Sequence, residues 1–153
     1  MATAKNWKQL ENLIQKQITS VLQKEVVEEV KRVMTEDGGV IDKEVYDKYT
    51  PYSTDGRTPY YQRTYELKNP NNIISNMVSD NIVAIRSDRT EGGRNIYEVI
   101  EYGKGYTWGY TRNLDEEIGA RPFHEKTKDE LIRSGRHIEA MKRGLRSRGL
   151  DVL

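Results

Sequence analysis

Residues 73–87 read IISNMVSDNIVAIRS, and this stretch decides the fold class. Two apolar-rich runs, Ile73 to Val78 and Ile82 to Ser87, are separated by Ser79-Asp80-Asn81. A three-residue connection between such runs has a usual hairpin length, so an antiparallel pair is expected here. Helical sequence lies on both sides of it, which makes the chain α+β. The expected architecture is a long N-terminal helix and a C-terminal helix packed on a small antiparallel sheet, as one domain over residues 1–153.

Upstream of the hairpin, residues 5–36 read as one long helix. Trp7, Leu10, Ile14, Ile18, Val21, Leu22, Val26, Val30 and Val33 recur at steps of three and four, the spacing of one helical face. Asp37-Gly38-Gly39 stops it, because glycine readily takes the left-handed conformation that closes a helix. At roughly 1.5 Å per residue the helix would span roughly 40 Å or more, long for a domain of this size. Either it kinks, or part of its apolar face packs on a neighbouring subunit. Val40 to Tyr49 is expected to form a short helix, and residues 50–59 a loop containing Asp55-Gly56. Tyr60 to Lys68 fits a short helix or an extended segment, and Asn69-Pro70-Asn71-Asn72 a turn.

Downstream, Asp88 to Asn95 is expected to be a flexible loop. Ile96 to Tyr102 fits a helical turn or a strand, broken by Gly103 and Gly105. Gly103 is expected at a turn with positive φ. Tyr106 to Thr111 fits a strand, and Arg112 to Ala120 a polar loop. The last helix opens at Arg121-Pro122-Phe123, since proline suits the first helical turn. Leu131, Ile138, Met141 and Leu145 mark its apolar stripe, with Gly135 as a close-packing position and Gly149 as the cap. Phe123 is expected to bury its ring against the sheet, and Arg121 to pair with a carboxylate such as Glu101.

Composition narrows the function. Only 35% of residues are hydrophobic and 32% are charged, so the core is small for the length and other subunits would help to cover it. The 25 basic and 24 acidic residues leave a net charge of +1. A dedicated nucleic-acid binder carries a basic excess, so any DNA contact has to come from a local patch. The absence of cysteine excludes a disulfide scaffold and thiolate metal sites. No apolar run approaches the roughly 20 residues of a membrane span, and MATAKNWKQLENL lacks the apolar stretch of a signal peptide. Synthesis in the cytoplasm, without membrane contact, is therefore expected. Ten tyrosines against one phenylalanine suit half-exposed surfaces and interfaces.

No catalytic constellation stands out. His124 and His137 lack the spacing of a metal pair, and no nucleophile elbow or phosphate loop is present; Gly103-Lys104-Gly105 reads as a turn. No catalytic, cofactor-binding or metal-binding residue is assigned, and the chain is not expected to be an enzyme. Charge is uneven in one place. Lys126 to Arg148 holds eight basic residues against Asp129, Glu130 and Glu139. Lys142, Arg143, Arg146 and Arg148 form a candidate patch for DNA or an acidic partner; the competing reading is compensation of the helix dipole.

Three short motifs occur in a telling order. Tyr60-Tyr61-Gln62-Arg63-Thr64-Tyr65-Glu66-Leu67 resembles a "Y-x-R-T-x-x-L" segment. Tyr97, Ile100, Glu101, Tyr102 and Gly103 resemble "Y-A-x-x-[VI]-E-[FY]-G", and Ala120-Arg121-Pro122-Phe123 resembles "A-R-P-F". Together they resemble the neck and tail-component family of tailed bacteriophages over residues 60–147. Glu98, Lys104 and His124 depart from that pattern. The resemblance implies a structural, non-catalytic virion protein at the neck or head-proximal tail, joining the head connector to the tail or completing the tail. It implies a homo-oligomeric ring, six-fold, partnered by connector and by tail-terminator or tail-tube proteins, with DNA passing the lumen. It also singles out Arg63, Tyr97, Glu101, Gly103, Arg121, Pro122 and Phe123 as fold or interface residues. The alternative is a nucleic-acid-binding module that uses the basic C-terminal helix.

Overall fold

The computed structural model describes residues 3–49, 63–106 and 118–153. The N-terminal helix begins as Asn6 accepts a hydrogen bond from the Gln9 N–H at 2.9 Å, a side-chain N-cap. It runs as α1 (Trp7–Val21), a π-helical turn (Leu22–Val26) and α2 (Val27–Thr35). The apolar spacing explains the π turn. Leu10, Ile14, Ile18, Leu22, Val26 and Val30 stand at steps of four. In an α-helix each such step overshoots a full turn by about 40°, so the row would wind off the core. One wider turn, bonded i to i+5, takes up the excess. The helix therefore neither breaks nor stays regular.

Only its second half is covered. Val21, Val26, Val30, Val33 and Met34 are buried, whereas Trp7 is 85% exposed and Leu10 and Ile14 stand at the surface. The chain then turns through Val40, Ile41 and Val45, all buried, and closes a second π turn (Asp42–Tyr46) in which the Asp47 N–H donates to the Asp42 carbonyl at 2.8 Å. The Asn69 side chain caps the single turn Pro70–Asn72.

The hairpin forms as expected from β1 (Ile73–Ser79) and β2 (Ile82–Ser87), paired Ile73 to Ser87 through Met77 to Val83. Ser79 belongs to the strand rather than to the connection, because Val78 is extra and bulges between Met77 and Ser79. The hairpin tip is tied to α1, where Gln15 bonds Asn81 and the Thr19 hydroxyl donates to the Asp80 carbonyl at 2.8 Å. The expected flexible loop after β2 is instead a second, minimal hairpin, β3 (Thr90–Glu91) and β4 (Arg94–Asn95). Its two-residue turn, Gly92-Gly93, has positive φ at both positions, as this connection requires. Ile96 to Tyr102 is helical and forms α3. The expected strand Tyr106 to Thr111 and the loop from Arg112 fall mostly outside the described residues.

The C-terminal helix is two helices, α4 (Phe123–Ser134) and α5 (Arg136–Ser147). Gly135 sits between them at φ +65, and a Cβ there would touch nothing within 4 Å. Gly135 is thus a break and not the expected close-packing position. That role belongs to Gly144, where a Cβ would collide with the Val21 side chain of α1. Gly149 closes α5 as expected, bonded to the Arg146 carbonyl at 2.9 Å. Helices α4 and α5 lie against α1 and α2, and α4 meets the sheet through His124, whose Nε2 accepts the Ser87 N–H at 3.0 Å. The result is α+β, with Phe123, Met34, Ile41, Ile73, Val21 and Val33 fully buried at its centre. Among the described residues no helix is long and apolar enough to cross a membrane.

Candidate functional site at the junction of the sequence motifs

The described parts of the three motifs meet in one place; Tyr60, Tyr61 and Gln62 lie outside them. The Arg121 N–H donates to the Ile100 carbonyl at 2.8 Å, which pins the segment before α4 onto α3. Gly103 closes α3 at φ +67, and a Cβ there would lie inside the backbone of Gly119 and Ala120. Glycine is required at that position on both counts. Pro122 precedes α4 at φ −76, the value its ring imposes. Phe123 follows with no exposed surface, its ring 4.2 Å from that of His124. The buried Tyr97 hydroxyl accepts from Arg86 at 2.9 Å and donates to Glu98 at 3.1 Å.

Arg121 does not pair with Glu101. Its guanidinium turns the other way, is 6% exposed, and donates to the Val45 carbonyl and the Tyr106 hydroxyl, each at 3.0 Å. It also lies over the rings of Tyr49 and Tyr106, 5.7 Å from each centroid. Arg63 donates to the next carbonyl, Tyr46, at 2.9 Å and covers the Tyr46 ring. Carbonyls at a helix end lack partners within the helix, and arginine is a suitable donor to them. Glu101 takes His124 instead: one carboxylate oxygen accepts from the His124 backbone N–H and meets Nδ1, both at 3.0 Å. Because Nε2 accepts from Ser87, the proton is assigned to Nδ1. Burial holds the His124 pKa below the usual imidazole value, against the pull of Glu101.

Beside these motifs lies a cavity of about 610 Å³, lined among others by Arg63, Arg89, Arg94, Arg121, Tyr46 and Tyr65. Arg63 Nη2 and Arg121 Nε are buried and have no hydrogen-bond partner. Tyr46 is pushed up to about 12 by burial, so its hydroxyl stays protonated. Tyr65 is the one non-glycine described residue with positive φ, at 57°, a conformation of order 1–3 kcal/mol above the usual wells. Its backbone turns the chain so that Arg63 faces the cavity while Leu67 enters the core.

The basic stretch of α5 is placed differently. Arg148 grips Glu25 at 2.8 Å and also donates to the Gly144 carbonyl. Arg143 lies 3.6 Å from Glu29, and Arg136 bridges Glu29 at 2.7 Å and Glu36 at 2.5 Å. Glu29, 6% exposed, also meets Arg32 at 3.0 Å. Lys142 is 3.7 Å from Glu139, and Arg146 donates to the Val152 carbonyl. The charge excess of α5 is thus drawn toward the acidic edge of the antiparallel N-terminal helix. Glu36 is held below the usual carboxylate range by the Arg136 hydrogen bond; Glu25, although burial alone would raise it, is held low by Arg148. Sequence reading missed this ladder, yet its signal was present: acids at 25, 29 and 36 face bases at 136, 143 and 148 with comparable spacing. Among the described residues no group of three acidic or histidine side chains could hold a metal ion.

The YomN family model matches residues 6–147. The chain is also 33% identical, over 125 residues, to the SPbeta prophage-derived uncharacterized protein YomN of Bacillus subtilis (strain 168). That alignment covers 80% of this chain and 81% of the relative. No solved structure gives a significant match.

Proposed function

The chain belongs to the YomN family, a phage-associated family, and from that premise we propose that it is a structural component of the virion, joining the head connector to the tail or completing the tail at the neck. The observation that carries this reading is the uncovered first half of the N-terminal helix. Trp7, Leu10 and Ile14 continue the apolar row of the core into solvent, beside a hairpin whose Val78 and Ile82 are also exposed. A row of this kind suits subunit packing, and head-to-tail repetition of one such contact closes a ring. The motif residues support a mechanical role as well. Gly103, Phe123 and Arg121 are spent on holding α3, α4 and the second π turn together, not on a reacting centre. The ring is six-fold by resemblance, its partners are connector and tail-terminator or tail-tube proteins, and no catalysis is involved.

Sedimentation of the purified chain with and without a connector ring tests this. The expected outcome is a small species alone and co-sedimentation with the ring, lost when Trp7 and Leu10 are replaced by Glu. No association with connector or tail-terminator proteins would reject the neck assignment. Binding of duplex DNA that weakens steeply with salt would favour a nucleic-acid-binding module built on Arg143 and Arg146.

A further inference from the structure

We propose that the cavity at the motif junction is an oxyanion site, in which Arg63 and Arg121 together receive one phosphate or carboxylate group. A guanidinium taken out of water needs an anion or a full set of acceptors, because burying an uncompensated charge is costly. Arg121 is 6% exposed, and its bonds go to a carbonyl and a hydroxyl, both uncharged. Arg63 likewise bonds a carbonyl. Among the described residues neither forms a salt bridge with a carboxylate.

The two guanidinium groups donate to the carbonyls of consecutive residues, Val45 and Tyr46. Each keeps one buried nitrogen without a partner, Nη2 on Arg63 and Nε on Arg121. Both residues line a space of about 610 Å³, which lies within the usual range for small-ligand pockets. Two guanidinium groups lining one cavity, each with an unpartnered nitrogen, suit an oxyanion better than any neutral ligand. The anion comes either as a free ion or as the carboxylate of an acidic side chain that a docking protein inserts.

Thermal unfolding of the full chain tests the site, in chloride buffer against inorganic phosphate and against acetate at matched ionic strength. Binding to the folded state alone predicts a rise in Tm that grows with the logarithm of anion concentration above Kd, about 3–6 °C at roughly tenfold excess over Kd. Arg146→Gln, exposed, bonded to the Val152 carbonyl and not part of the cavity lining, should keep the rise. Arg63→Gln, which leaves no carboxylate without its partner, should weaken apparent affinity at least about tenfold. Should Arg63→Gln fold poorly, Arg63→Lys keeps the charge without the fork and should weaken binding by a smaller factor. A rise with phosphate alone identifies a free phosphate-type anion; a rise with acetate as well identifies a side-chain carboxylate. No concentration-dependent rise with either anion, or an undiminished rise in both Arg63 variants, overturns the proposal.

Discussion

The arginines of α5 and the arginines of the motif junction are held in place to similar ends by opposite means. On α5, Arg136, Arg143 and Arg148 face Glu25, Glu29 and Glu36, and their charges are answered inside the chain. At the junction, Arg63 and Arg121 hold their place by donating to carbonyls and lying over tyrosine rings. The first arrangement fixes the relation of two helices and leaves little charge to offer. The second fixes the relation of three motifs and leaves charge in hand. Counting basic residues along the sequence points to α5 as the interacting surface; pairing them in space points to the junction.

The largest expected effect tests the first half of that contrast. Glu29→Ala removes the buried carboxylate that Arg32, Arg136 and Arg143 share, while Arg136 keeps Glu36, and should cost about 2–3 kcal/mol in urea unfolding. Arg121→Met strands only neutral acceptors and relieves a buried charge, so its cost should be smaller, about 1–2 kcal/mol. If Arg121→Met proves the more damaging of the two, the contrast between answered and unanswered charge fails. Arg146→Gln, whose partner is an exposed carbonyl, should stay within about 0.5 kcal/mol and serves as the surface reference.

Acid separates the two regions further. Glu25 and Glu36 have lowered pKa values in the fold, so their contribution is complete above about 4.5 and is lost as pH falls through the folded values. His124 is also lowered, so the fold favours its neutral form, and stability should fall as pH drops below about 6.5. Stability measured from pH 7.5 to 3 should therefore fall in two stages, the junction first and the helix ladder second. His124→Gln should remove the first stage only; a single stage in the wild-type chain would contradict a fold that favours neutral His124.

Much of the fold was legible because its signals are local. Apolar runs around a short polar connection made the hairpin, and the long apolar row made the N-terminal helix. The π turn was legible only as a conflict, a helix too long and too regularly spaced in fours. Two misreadings had signals in view. Gly92-Gly93 between Thr90-Glu91 and Arg94-Asn95 is a two-residue hairpin turn, and Gly135 after Arg133 is a helix end. The site was less legible, because side-chain direction depends on packing. Arg121 and Glu101 are neighbours through the backbone of α3, yet Pro122 turns the chain so that His124, and not Arg121, meets the carboxylate. The acceptors of Arg63 and Arg121 are main-chain carbonyls, which no residue type announces.

Gly144 carries a consequence for how the two ends of the chain find each other. A ladder of glutamates against arginines tolerates small slips, since long arginine side chains can follow a displaced carboxylate. Steric fit does not share that tolerance. With Val21 seated where Gly144 lacks a side chain, a slip of one turn presents Ala140 or Arg148, and even a Cβ at that spot would collide with Val21. Charge thus selects the face on which α5 docks, while a missing methyl group acts as the detent that admits a single alignment along it.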